Sequence, residues 1–553
     1  MTQMEGKRAL LEQLVADGVE YIFGNPGTTE QAFQDMLQEY PQLTYILCLH
    51  EGVAICMADA YARATGKPAF VQLHIAPGLG NAMGMLYNAY SSHSPLVVYV
   101  GQSASTALVQ EPLLSADLVG MAAPVTKWAV QVEHAGDVAQ MLRRANNIAS
   151  LPPRGPVVIA VPIDVMDEMA EVEITPTSYT RWSTSPDPSA LLEATELLRG
   201  AESPLVIVGD EVGDSDGVAE VEQLAVSLGA PVWIGYSTQV NITPDHPLVA
   251  GTLPATSISA PRIAEQMLSG HDVVLVLGSP VFRFIFPRPG SPVPQGIKVI
   301  QIGLDSWELG KNVPDVLGVV GNVREAATQL SELLGELPGA TARTAAITAA
   351  NSRARQARLA IDDKLPQGPA MPVALAMREL AGCLPEDVAI FEEAMTSASA
   401  FSRHVPLHPG RYFRARGGGI GPGIPGAIGL KLANPDRPVI GVVSDGSGMF
   451  SITALWTAAH HRVPVVWLVI NNNSYRILKE NLVEYLGDKA GSRRFVELDL
   501  TNPSLHYDEI ARSFGVDAVR VTELADLRPA LERAFALGAP ALVEVMVDSE
   551  VEK

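Results

Sequence analysis

Short apolar runs, many of them β-branched, recur along the chain: VEYIFG (19–24), LTYILCL (43–49), PAFVQLH (68–74), PLVVYVG (95–101), PVVIAVP (156–162), PLVIVGD (204–210), DVVLVLG (272–278), PVIGVVSD (438–445), VPVVWLVINN (463–472) and PALVEVMV (540–547). Longer stretches with helical spacing separate them. Near-continuous apolar strands belong in parallel sheets covered by helices on both faces, since a half-solvated strand would alternate apolar with polar. The pattern predicts an α/β protein built from doubly wound parallel sheets.

Two stretches interrupt the pattern. Residues 164–190 are acidic, then rich in Ser, Thr and Pro. Residues 335–370 carry helix formers between Gly and Pro punctuation. Read as linkers, they divide the chain into three domains at about 1–170, 190–335 and 365–553, which suits a length of 553 residues. No short tandem repeat is present, and the sequence alone does not relate the first domain to the last.

Composition narrows the function classes. Apolar residues make up 47% and charged residues 18%, as in a soluble globular protein with large cores. A formal charge of −22 repels nucleic acid and anionic membrane, so neither is expected as a partner. Cys48, Cys56 and Cys383 are too scattered for a disulfide framework or a zinc site, and a reducing cytoplasm fits them. The N-terminal MTQMEGKRALLEQL lacks the apolar core of a secretory signal, and no run is long enough for a membrane span.

The strongest chemical pattern is in the last domain. The run PVIGVVS ends in Asp445-Gly446-Ser447-Gly448, a helical segment MFSITALWTAAHH follows, and VPVVWLVI ends in Asn471-Asn472-Asn473-Ser474 with Tyr475 next. Asn472 follows Asp445 by 27 residues. Strand, helix, strand puts both polar tips at the carboxyl edge of one parallel sheet, where open α/β sheets bind ligands. Asp445 offers a carboxylate, Asn472 an amide oxygen and Ser474 a backbone carbonyl. Hard oxygen donors of this kind suit Mg2+ or Ca2+ bridging to a diphosphate. The glycines admit close backbone approach, and the helix start supplies N–H donors to the anion. Taken separately, Asp445 could simply cap a helix and the Asn run could be an ordinary turn. A rival motif, Gly421-Pro422-Gly423-Ile424-Pro425-Gly426, matches G-x-G-x-x-G. Against a dinucleotide there, RYFRARGGGI makes a poor buried strand, and the Asn471–Ser474 constellation would be left without a role.

In the first domain, Gly24-Asn25-Pro26-Gly27-Thr28-Thr29-Glu30, Leu49-His50-Glu51, Leu73-His74 and Gly78-Leu79-Gly80-Asn81 each follow a predicted strand. Their loops should converge at one sheet edge. Together with D-G-S…N-N, these motifs resemble the thiamine-diphosphate (ThDP)-dependent 2-oxo acid decarboxylases and carboligases, benzoylformate decarboxylase and its close relatives above all. HSPL (93–96), KW (127–128), GGIGPGIPGAIG and SITALWTAA extend the likeness over the whole chain. One departure is Ser444, where the family motif begins with Gly.

The resemblance implies a fold of three such domains (pyrimidine-binding, middle and diphosphate-binding) and a 2-oxo acid as small-molecule substrate. It implies that Glu51 holds the proton at N1′ of the aminopyrimidine, so that the cofactor can deprotonate its own thiazolium C2. Without the other motifs, Glu51 would read as a first-turn helix acid. It further implies that Ile420, after Gly418 and Gly419, supports the bent cofactor. Thr28 would contact the substrate carboxylate and His74 would relay protons. Asn25, Pro26, Asn81, Gly446, Ser447 and Tyr475 complete the implied cofactor site, and Asp445, Asn472 and Ser474 its metal ligands. A homodimer or homotetramer follows, because in this family the two cofactor domains meet across a subunit boundary.

The pocket also departs from the aryl decarboxylase. Ile285, in SPVFRFIF, stands where that enzyme has a second pocket histidine, and an Ile transfers no proton. Arg414 and Arg416 suit either an anionic substrate tail or acids at a subunit interface. The expected activity is decarboxylation to an aldehyde, with possible carboligation to 2-hydroxyketones. An acetolactate-synthase-like carboligase or a flavin-assisted oxidase on the same fold is the nearest alternative. A catalytically silent ThDP-fold binding protein is the alternative from another class.

Overall fold

The computed structural model describes residues 1–181, 184–366, 371–549 and 551. Residues 182–183 and 367–370, which fall in the two stretches read as linkers, lie outside the described residues. All ten apolar runs form strands, and three six-stranded parallel sheets result.

The first sheet runs Thr44–Leu47, Tyr21–Gly24, Ala69–Leu73, Leu96–Gln102, Val157–Pro162, Trp128–Gln131. Numbered along the chain, that order is 2-1-3-4-6-5. The last sheet runs Tyr412–Arg414, Ala389–Glu393, Val439–Ser444, Val466–Asn471, Ala541–Met546, Asp517–Val521, which is again 2-1-3-4-6-5. The relation that the sequence does not reveal is present in the topology. The middle sheet runs Val249–Thr252, Val232–Ile234, Pro204–Val208, Val273–Leu277, Lys298–Gly303, Val316–Val320. Its order, 3-2-1-4-5-6, is that of dinucleotide-binding folds.

The linker stretches are more structured than their composition suggests. Met169–Val172 pairs antiparallel with Thr2–Glu5, which ties the chain's start to the end of the first domain. Ala340–Asp362 is a helix of 23 residues. The segment expected as one helix over 449–461 is instead a 3-10 turn, Met449–Ser451, followed by the helix Ala454–His461.

Two helices join the outer domains. Glu51–Thr65 is capped at its start by His50, whose Nδ1 accepts from Gly52 N (3.0 Å), and it ends at the left-handed Gly66. Gly423–Ala433 is buried over most of its length. Both are rich in Gly and Ala, and they pack face to face between the first and last sheets. A Cβ on Gly429 would lie 2.0 Å from the Met57 carbonyl oxygen. Small residues allow that approach, and one continuous core then includes Ala54, Met57, Ala427, Ile428 and Trp467.

Candidate active site

In the first sheet, the loops after strands 1 and 3 leave in opposite directions, which opens a crevice at the carboxyl edge. Of the candidate residues, Asn25, Glu51 and Asn81 meet there. Glu51 opens its helix and is 6% exposed. Its Oε1 accepts from Asn25 Nδ2 (3.3 Å) and its Oε2 from Asn81 Nδ2 (3.0 Å). A Cβ on Gly78 would come within 3.1 Å of Oε1, so the glycine of the Gly78-Leu79-Gly80-Asn81 motif makes room for the carboxylate. Thr28 opens a short 3-10 turn and is exposed.

His74 has a partner that sequence reasoning missed. Glu30 is fully buried, and its Oε2 lies 2.9 Å from His74 Nδ1. Thr29 Oγ1 donates to Glu30 Oε1 (2.5 Å) and lies 3.2 Å from the same ring nitrogen. Burial pushes the Glu30 carboxyl up, and the hydrogen bonds from Thr29 and His74 oppose that shift. With Nδ1–H donating to Glu30, the ring's Nε2 is left as the free acceptor. The signal was the acid ending the run GNPGTTE.

The last sheet builds the second half. Asp445 follows strand Val439–Ser444 and is 1% exposed. Its Oδ1 accepts from Gly446 N (2.8 Å), and its Oδ2 from Asn472 N (3.0 Å) and Ser474 N (3.3 Å). Asn473, at φ 52°, turns the chain so that both amides face the carboxylate. Burial raises the Asp445 carboxyl to about 6 against these backbone donors. Gly446 is required, since a Cβ there would lie 2.5 Å from the Tyr475 ring. Ser444, the departure from the family motif, has extended backbone and pairs with the Ser447 hydroxyl (2.7 Å).

The residues fit a divalent cation and a diphosphate. Asn472 Oδ1 is buried without a hydrogen-bond partner, which is costly unless something else meets it. It stands beside a carboxylate and a loop carbonyl, the donor set of a hard cation. Among the described residues no three His, Cys, Asp or Glu side chains form a metal cluster. A cation here would rely on mixed carboxylate, amide and carbonyl oxygens.

The glycine loop lies between the two halves. Gly417, Gly418 and Gly421 have φ of 104°, 90° and 119°, values that only glycine adopts without strain. Glu393, another residue the sequence did not single out, accepts from Gly421 N and Gly423 N (both 2.7 Å). Burial raises its carboxyl to about 7. An internal carboxylate thus already occupies the anion position of the G-x-G-x-x-G segment, which argues against a dinucleotide phosphate there. No hydrogen bond or ion pair among the described residues joins Glu51 to the Asp445 group within the chain.

Three family profiles match this arrangement: "Thiamine pyrophosphate enzyme, N-terminal TPP binding domain" over residues 4–121, the central domain over 191–330, and the "C-terminal TPP binding domain" over 395–545. The chain is 35% identical over 545 residues to benzoylformate decarboxylase of Pseudomonas aeruginosa, covering 97% of this chain and 98% of that one. The chain belongs to the ThDP-dependent 2-oxo acid decarboxylase family. Glyoxylate carboligase of Escherichia coli is 26% identical, with 100% and 94% covered. The solved structure of a ThDP-dependent 4-hydroxybenzoylformate decarboxylase from Rhodococcus jostii superposes with a TM-score of 0.86 at 30% identity, covering 99% of this chain and 100% of that one.

Of the departures noted in the sequence, Arg414 and Arg416 have partners within the chain, and nothing in the structure explains Ile285. Ile285 is 63% exposed, beside Phe286, and offers no proton donor. Arg416 is 4% exposed and pairs with Asp210 of the middle domain (3.3 Å). Arg414 pairs with Glu392 (3.5 Å). The acids expected either on a substrate tail or at a subunit interface are found inside the chain.

Proposed function

We propose that the chain decarboxylates a 2-oxo acid to an aldehyde, with ThDP held through Mg2+ or Ca2+, and that the same site supports carboligation. The observation that carries the reading is Glu51: a buried carboxylate at a helix start, held by two side-chain amides. When bound, ThDP supplies a thiazolium that accepts the electron pair left as carbon dioxide departs. Glu51 holds the proton at N1′ of the aminopyrimidine. Asp445, Asn472 Oδ1 and the Ser474 carbonyl hold the cation. Gly446, whose own N–H holds Asp445, leaves room beside the Ser447 amide and Tyr475, which bound the diphosphate. Asn25, Pro26, Asn81, Gly418 and Ile420 shape the remaining cofactor contacts. Thr28 orients the substrate carboxylate, and His74 carries a proton on Nε2, with Glu30 setting its tautomer.

Similarity to both a benzoylformate decarboxylase and a glyoxylate carboligase supports shared early chemistry with either outcome. A flavin-assisted reading is disfavoured by the middle domain. Its switch crevice is lined by Asp210, Glu211, Asp214, Asp305 and Glu308 against His93 and Arg416, the latter already paired with Asp210, and Glu211 Oε2 takes the Leu304 N–H (2.6 Å). A dinucleotide diphosphate would meet carboxylates there.

Assembly into a homodimer or homotetramer is part of the proposal. Tyr87 is 49% exposed, Phe450 61% and Tyr485 74%, so apolar surface remains near both halves for a second copy to cover. No described helix is long and apolar enough to cross a membrane. The three cysteines are free, in keeping with a cytoplasmic setting.

The test is carbon dioxide release from aryl, alkyl and anionic 2-oxo acids with ThDP and Mg2+ present. Glu51→Gln should lower turnover by about 100-fold or more. Full activity in that variant would overturn the mechanism. A wild-type protein that turns over no 2-oxo acid in the panel would favour a silent binding protein.

A further inference from the structure

Ile420 sits in a loop whose glycines provide little stiffness of their own. What holds the loop is Asn88, on the helix Ile75–Ser91 of the first domain. Its Nδ2 donates to the Gly419 carbonyl (2.7 Å), and its Oδ1 accepts from Gly419 N (3.0 Å). The side-chain amide thus holds the N–H and the C=O of one residue, in two successive peptides, which fixes orientation as well as distance. Asn88 is 2% exposed, so its end of each bond is buried, while Gly419 is half-buried. A Cβ on Gly417 would lie 2.5 Å from Asn88 Oδ1, and one on Gly419 2.9 Å from it. The loop is therefore moulded around this one side chain.

The same helix carries Asn81, seven residues earlier and on the same face, which donates to Glu51. One rigid element thus touches both Glu51 and the loop that bears Ile420, groups that the proposed dimer assigns to neighbouring sites. Beyond the loop, Arg416 anchors to Asp210, and Glu393 holds Gly421 and Gly423. Of these anchors, only Asn88 grips the residue next to Ile420 from another domain.

We infer that Asn88 is a positioning residue that sets the Gly417–Gly421 loop, and through it Ile420, for cofactor activation. The inference rests on the ThDP reading above. Asn88→Leu removes both hydrogen bonds at similar shape, and Asn88→Asp keeps only the acceptor. The readouts are cofactor affinity by calorimetry, hydrogen–deuterium exchange at C2 of bound ThDP, and the split between kcat and KM. Asn88→Leu should slow C2 exchange and kcat together by about 10- to 100-fold, with KM and cofactor affinity within about threefold, and Asn88→Asp should fall between it and wild type.

Unchanged C2 exchange in a folded Asn88→Leu protein would overturn the inference. So would losses of affinity, turnover and thermal stability in equal step, which would mark a purely structural role. Should the Leu variant not fold, amide exchange of the wild-type peptide spanning 415–422 decides. Protection at Gly419 is expected, and free exchange there would refute the clamp. A wild-type protein that binds ThDP without accelerating C2 exchange removes the parent reading, and is seen separately in the wild-type arm.

Discussion

Asn472 illustrates how a single residue can favour function at the expense of stability. Its side-chain oxygen is buried and unmatched, and an unmet buried acceptor costs about 1–3 kcal/mol. Asn472→Leu branches at the same carbon and removes that oxygen. The substitution should leave the cofactor-free protein as stable as wild type, or more so by about 1 kcal/mol, while weakening Mg2+-dependent ThDP binding by about tenfold or more. Denaturant titration of the free protein and calorimetry with ThDP and Mg2+ measure the two effects. Equal binding in the variant would remove Asn472 from the cation site. The candidate site was legible only in combination: Asp445 alone reads as a helix cap and the Asn run as a turn, and their pairing after two strands is what points to a cation. Asn88 and Glu393 were not legible, and Glu30 showed only as the acid ending GNPGTTE. Each acts on a partner distant in sequence or through a backbone amide, and neither kind of contact leaves a spacing in the sequence.

At the scale of elements, apolar runs predicted strands well, because a strand buried on both faces has no polar position to hide it. Other strands escaped notice: Trp128–Gln131 is half-buried at an edge, Tyr412–Arg414 has only three residues, and the buried inner strand Ala389–Glu393 ends in two glutamates. The packing of helix Glu51–Thr65 on Gly423–Ala433 was also invisible, since it depends on small residues whose pattern resembles any Ala-rich helix. That crossing yields a sharp prediction. Gly429→Ala places a Cβ 2.0 Å from a backbone oxygen, and backbone cannot swing aside as a flexible side chain can. The variant should lose about 2–3 kcal/mol or more, read as a lower thermal midpoint. Activity should fall with it, because Glu51 begins one of the two helices. A variant with wild-type stability would mean that the helices sit further apart.

Across the whole molecule, the outer domains bury acids to build their sites, and the stability should depend on pH accordingly. Burial raises Glu30, Asp59, Glu393, Asp445 and Glu544 above their ordinary values. Glu393, 5% exposed, is the clearest of them, at about 7 against an ordinary 4.5. A raised acid binds its proton more tightly in the folded chain than in the unfolded one. Between about 4.5 and 7 the native state therefore carries more protons, and stability falls as pH rises through that window. For Glu393 alone the full drop is on the order of 3 kcal/mol. The net charge of −22 adds self-repulsion in the same direction. Burial lowers His93 and holds His461 at about 4, which gives the opposite slope below about pH 6.5, so the cofactor-free protein should melt at a higher temperature near pH 6.5 than near pH 8. Glu393→Gln should flatten that slope, since the variant has no proton to lose at this site. A cation at Asp445 favours its ionised form, so saturating Mg2+ and ThDP should narrow the gap further in wild type. Melting curves of the free and loaded protein from pH 5 to 8 test all three statements. A free protein that gains stability between pH 6.5 and 8, above the histidine window, would show that these carboxyls are not held protonated by the fold.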